Sequence, residues 1–141
     1  MCIRDRFYAA EILRAEHPVD FEVLATTMLG FRFTSPEVDL FAQAPTISID
    51  VNSNVDRVTL NNRSMETPPL GPDNESFYSA YRKFVKLLAS NEVAIELTLA
   101  AGELVGFDNR RILHGRSAYE ADPNRHLQGC YIDIDAVRAR F

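Results

Sequence analysis

Phe7, Ile12 and Leu13, with Ala9 and Ala10 beside them, follow helical spacing as far as the Glu16-His17-Pro18 break. A second short helix is expected beyond it, with Phe21, Val23, Leu24 and Leu29 as its apolar positions. The period then changes. Phe31 to Thr34 alternates as a half-buried strand does, Thr46 to Asp50 alternates again before the turn-rich Asn52-Ser53-Asn54, and Arg57 to Leu60 is a third strand candidate. From Met65 to Asn74 the prolines at 68, 69 and 72 and Gly71 exclude a regular ladder, which predicts a dividing loop. Asp73 or Asn74 can cap the helix that starts near Glu75, with Phe77, Tyr81, Phe84, Val85 and Leu88 on its apolar side. Strands are expected again at Ala94 to Leu99, Leu104 to Phe107, Arg111 to His114 and about His126 to Ile132. Short antiparallel strands with helices alongside give a β-rich α+β class and suit a sandwich or jelly roll.

The 141 residues fit one domain, and 46% hydrophobic residues suffice for a core. A net charge of -5 provides no global basic field, so no nucleic acid partner and no anionic membrane surface is expected. Apolar runs such as Val85 to Ala89 are far shorter than the roughly 20 residues of a membrane span, which makes a cytoplasmic protein the default. Cys2 and Cys130 sit in no CxxC or Cys/His cluster and read as free thiols, Cys130 facing the core. Residues 1–6, MCIRDR, carry three charges directly before the first helix and resemble an adapter-derived prefix. They are set aside from the fold as non-native, which leaves residues 7–141 as the domain.

The chemistry concentrates late in the chain, in Phe107-Asp108-Asn109-Arg110-Arg111-Ile112-Leu113-His114-Gly115-Arg116 and in Asn124-Arg125-His126-Leu127-Gln128-Gly129-Cys130-Tyr131. A histidine on a strand can present a neutral imidazole nitrogen to a metal. An arginine offers a planar fork of donors that matches a carboxylate and stays charged at any working pH. Taken singly, such residues are more often core histidines and exposed ion-pair arginines.

Together the two segments resemble the end of the double-stranded β-helix in the taurine dioxygenase (TauD/TfdA) superfamily, in members of the gamma-butyrobetaine hydroxylase type. Their pattern is an FDN-x-R-x-x-HGR run followed by an R-H-L-x-G-x-Y strand. The resemblance extends more weakly over nearly the whole chain from Phe7, including Asn61-Asn62-Arg63 and the helix from Phe77 to Leu88. It implies a jelly roll with flanking helices, incomplete at its N-terminal side. It also implies iron(II) as cofactor, 2-oxoglutarate as cosubstrate and dioxygen as reactant. His114 matches the distal metal ligand and Arg125 the anchor for the distal carboxylate of 2-oxoglutarate. A facial site of two histidines and one carboxylate leaves coordination positions open for the 2-oxo acid and then dioxygen.

The substrate implied is a small quaternary ammonium carboxylate, gamma-butyrobetaine, hydroxylated to carnitine. Tyr131 matches a tyrosine of the aromatic cage for the trimethylammonium group, which donates no hydrogen bonds and is best stabilised by aromatic faces. Asn61 matches an asparagine that binds the substrate carboxylate. By residue type alone, Tyr131 reads equally as a strand aromatic packing under a helix, and Asn61 as a turn former. Arg116 and His126 add only positive potential near an anionic cosubstrate.

The chain departs from the family pattern in one respect. The other two ligands form a His-x-Asp or His-x-Glu motif upstream, whereas here the remaining histidines are His17, at a helix junction, and His126, beyond Arg125. Truncation at both ends, inactivity of the isolated chain and a homodimer at full length are the corresponding expectations. Alternative readings keep the mechanism with trimethyllysine or a sulfonate as substrate, or make the chain a non-catalytic binding module.

Overall fold

The computed structural model describes residues 1–61, 63–68, 74–115 and 126–140. Asp5 closes a first strand, β1 (Cys2–Asp5), and opens helix α1 (Arg6–Glu16). Its Oδ1 accepts the free N–H groups of Phe7 and Tyr8 at 3.0 and 3.1 Å, a side-chain cap on the helix N-terminus. His17 separates α1 from α2 (Pro18–Thr26), where Pro18 occupies a first-turn position that needs no N–H donor. The third helix, α3 (Asn74–Ala89), buries Phe77, Ala80, Phe84 and Leu88, one stripe at helical spacing.

These stripes make the core. Ala9, Ala10 and Leu13 of α1 and Phe21 and Leu24 of α2 pack with the α3 stripe, Leu29, Ile47, Val55, Val58 and Val93. The alanines leave room for close approach of the helices, while Phe77 and Phe84 fill the centre at 1% and 0% exposure.

The strands form three antiparallel groups. β2 (Met28–Thr34) pairs with β3 (Asp39–Pro45), and β4 (Ile47–Ile49) with β5 (Val55–Val58), the latter with a register shift after Ser48. The β4–β5 turn is held by Asp50, whose Oδ1 accepts from the N–H groups of Asn52 and Asn54 at 2.8 Å each. Ser53 takes a left-handed conformation there, with φ 66°. The third group is a sheet in the order β6-β1-β7, with β6 (Ala94–Glu96) following a 3₁₀ turn at Asn91–Val93 and β7 spanning Ile112–Gly115. A short helix, α4 (Ile134–Arg138), comes last.

The class is thus mixed α and β, rich in antiparallel strands, and the described residues do not make a complete jelly roll. Several sequence expectations need correction. Leu29 belongs to β2, not to the second helix, because α2 ends at Thr26. β3 was not anticipated, since Asp39-Leu40-Phe41-Ala42-Gln43-Ala44-Pro45 is poor in β-branched residues and gains its conformation from the ladder with β2. Residues 104–107 and 126–132 alternate suitably but pair with no described strand, and Cys130 is exposed rather than in the core. The prefix set aside from the fold occupies the middle of a sheet: Cys2, Ile3 and Arg4 pair with Glu96, Ile95 and Ala94 on one side, and Cys2–Asp5 with Gly115–Ile112 on the other. Among the described residues no helix is long and apolar enough to cross a membrane.

Candidate functional site

His114 sits on β7 opposite Ile3 of β1, with its side chain exposed. The chain reaches it through a tight hook. Asp108 Oδ1 accepts from the N–H of Arg110 at 2.8 Å, and its carbonyl accepts from Arg111 and Ile112 at 3.1 and 2.9 Å. The hook folds Phe107 back onto the strand, so that its ring lies 4.7 Å from the His114 ring, tilted by 46°. The backbone N–H of Arg110 foremost, with the Arg110 guanidinium and the charge of Arg138, holds the Asp108 carboxyl below the usual carboxylate value against the opposing effect of burial.

The hook is anchored by two arginines. Arg111 donates to Asp5 Oδ2 from Nε at 3.0 Å and from Nη2. Burial pushes the Asp5 carboxyl up, but the Arg111 bond and the N–H groups of Tyr8 and Phe7 outweigh it and leave the carboxyl below its ordinary value. Arg6 is only 6% exposed and donates to the carbonyls of Val58 at 2.8 Å, Ile112 at 3.0 Å and Asn109, tying α1 to β5, the hook and β7. Its buried Nε has no hydrogen-bond partner among the described residues. Burial lowers the pKa of Arg6, with Asp108 acting the other way, yet a guanidinium remains charged.

Between β5 and the hook lies a cleft of about 450 Å³ lined by Arg6, Arg57, Asn61, Arg110 and His114 among others. His114 and Asn61, far apart in the chain, therefore face one space. Asn61 is fixed by its own turn: Oδ1 accepts from the N–H of Arg63 at 3.2 Å, and its carbonyl accepts from Ser64 and Met65 at 3.2 and 3.0 Å. The turn-forming role is real, and it leaves Asn61 Nδ2 without a partner among the described residues, as a donor. A second cavity of about 470 Å³ adjoins the first across Leu60, Asn61 and Leu113, with Arg63, Tyr81 and Val85 of its lining on the far side.

Tyr131 is 87% exposed and lines neither cavity, so the structure does not bring it together with His114 and Asn61. Arg125 and Arg116 lie outside the described residues. His126 is exposed. Sequence reasoning missed Arg6, which had been set aside with the prefix, and Arg57, which it read only as a strand residue. A buried arginine bonded to carbonyls leaves no pattern in a single sequence. Among the described residues no group of three or more His, Cys, Asp or Glu could hold a metal ion, and His114 is the one imidazole among the described residues that line the cleft.

Comparison with known proteins bears on this geometry. A model for the taurine catabolism dioxygenase TauD, TfdA family matches residues 2–131. The gamma-butyrobetaine dioxygenase of Pseudomonas sp. (strain AK-1) is 36% identical over 97% of this chain and 36% of its own length. The gamma-butyrobetaine dioxygenase of Homo sapiens is 33% identical over 99% of the chain and 38% of its own length. The trimethyllysine dioxygenase of Neurospora crassa is 30% identical over 97% of the chain and 30% of its own length. The chain thus spans about a third of the length of these relatives. A family match over nearly the whole chain, on the segment that joins His114 and Asn61 across one cleft, leads to one conclusion: the chain belongs to the taurine catabolism dioxygenase TauD, TfdA family.

Proposed function

We propose that residues 7–141 are the C-terminal part of a double-stranded β-helix catalytic domain, and that the whole protein hydroxylates gamma-butyrobetaine to carnitine with iron(II), 2-oxoglutarate and dioxygen. The observation that carries this reading is the meeting of His114 and Asn61 in one cleft, together with the gamma-butyrobetaine dioxygenases among the relatives. Bound iron(II) would supply the oxidising chemistry, coupled to conversion of 2-oxoglutarate to succinate. His114 is the proposed distal ligand, its partners coming from outside the described residues.

The chain's own residues bind and orient. Asn61, held by the Arg63 N–H at its carbonyl end, turns its amide donors to the substrate carboxylate. Arg125 is the proposed fork for the distal carboxylate of 2-oxoglutarate. Tyr131 is proposed for the trimethylammonium group on the strength of the resemblance alone.

A second substrate reading, trimethyllysine, is favoured by the Neurospora crassa relative. The test is to express the complete reading frame that contains this chain and incubate it with iron(II), 2-oxoglutarate and each substrate in turn. Carnitine and succinate in equal amounts are the expected products. Hydroxylated trimethyllysine would favour the second reading, and substrate binding without succinate would favour a non-catalytic module.

A further inference from the structure

The molecule is acidic, with a net charge of -5, yet among the described residues the cleft that holds His114 and Asn61 is lined by three guanidinium groups, Arg6, Arg57 and Arg110, and by no carboxylate. The three are not equivalent. Arg6 spends its donors on the carbonyls of Val58, Asn109 and Ile112. Arg110 leans on Asp108 at 3.6 Å. Arg57, exposed on β5 across from Ser48, forms no ion pair with any described residue. Four residues further on, Asn61, whose Nδ2 has no partner among the described residues, lines the same space.

An unpaired cation lining a concave cleft attracts an anion more strongly than the same cation on an open surface, because field lines are focused there. A fork of guanidinium donors beside an amide N–H₂ matches the two oxygens of a carboxylate. The same potential repels a trimethylammonium group. From this we infer that Arg57 is a carboxylate-binding residue of the cleft, acting with Asn61 and separate from the proposed anchor Arg125, and that a betaine enters this cleft with its carboxylate towards β5 and its cationic end away from it. The inference rests on the proposed role of Asn61 and adds the residue that supplies the charge.

Nuclear magnetic resonance on the whole 141-residue chain tests it with acetate as probe. 2-Oxoglutarate and gamma-butyrobetaine in separate arms distinguish cosubstrate from substrate carboxylate, and tetramethylammonium chloride controls for ionic strength. Acetate and gamma-butyrobetaine should shift the Asn61 side-chain amide and the Arg57 Nε–H together along one binding curve, and tetramethylammonium chloride should shift neither. Arg57→Gln should weaken acetate at least about fivefold, Arg57→Lys should recover part of the loss as a point charge without the fork, and Arg82→Gln on α3 should change nothing. The result that overturns the inference is an Arg57→Gln chain that binds acetate as the Arg82→Gln chain does, or equal shifts from chloride alone. A response to 2-oxoglutarate without one to gamma-butyrobetaine also overturns the stated orientation. Asn61→Ala separates the two claims: loss there without loss in Arg57→Gln removes Arg57 and keeps Asn61, whereas the converse keeps Arg57 and removes Asn61.

Discussion

Residues divide here into those that recognise ligands and those that hold the recognising segments in place. Arg125 belongs to the first group as a proposal. Its replacement by lysine in the complete enzyme exchanges a bidentate fork for a point charge, so the loss should fall on 2-oxoglutarate by about 1.5–3 kcal/mol, roughly ten- to a hundredfold in its requirement. The gamma-butyrobetaine requirement should stay near that of the wild type, and steady-state kinetics with each ligand varied in turn measures both. Asp5 belongs to the second group. Its folded-state pKa lies below the ordinary value of 3.8, so its contribution to stability is present above that pH and is lost as the pH falls through the lowered folded value. Asp5→Asn keeps a side-chain oxygen for the cap but loses the charge facing Arg111. It should cost about 0.5–1 kcal/mol at neutral pH and make the acid limb of stability shallower, as read from urea unfolding between neutral pH and pH about 3.

Elements were legible where one element buries its own stripe. α1 and α3 follow from Phe7 to Leu13 and from Phe77 to Leu88 because helical periodicity is local, and β5 and β7 follow from alternation around Arg57 and His114. Strands that depend on a partner were less legible. β3 forms against β2 despite a weak sequence signal, and 104–107 shows a signal without a described ladder. Of the site, the sequence pointed to His114 and Asn61 by resemblance, while their shared cleft depends on how β5 and the hook approach, which no local pattern encodes. β1 is the sharpest case, because charge and position argued for a passenger and the ladder places it between β6 and β7. Deleting residues 1–4, which spares the Asp5 cap, should therefore remove several ladder hydrogen bonds worth about 0.5–1.5 kcal/mol each and lower the urea midpoint clearly. An unchanged midpoint would return the segment to the status of a passenger.

At the scale of the whole molecule, helices α1 to α3 and the β4–β5 hairpin share one core, and the cleft beside it is lined by both His114 and Asn61. Exposed apolar side chains such as Phe33, Leu40 and Phe41 on the β2–β3 ribbon, at 59%, 60% and 56% exposure, lie away from it. With no group of three or more metal-ligating side chains among the described residues, the isolated 141-residue chain should release no succinate from 2-oxoglutarate above background when iron(II) is added, and His114→Ala should leave that background unchanged. The central claim is that His114 is a metal ligand in the complete protein. Its most direct test is the anaerobic iron(II) content of that complete protein after desalting. The account predicts about one iron per chain in the wild type and, because losing one of three ligands should weaken binding severely, little retained iron in His114→Ala. A His114→Ala protein that keeps the wild-type iron content, with its fold intact by circular dichroism, would contradict it.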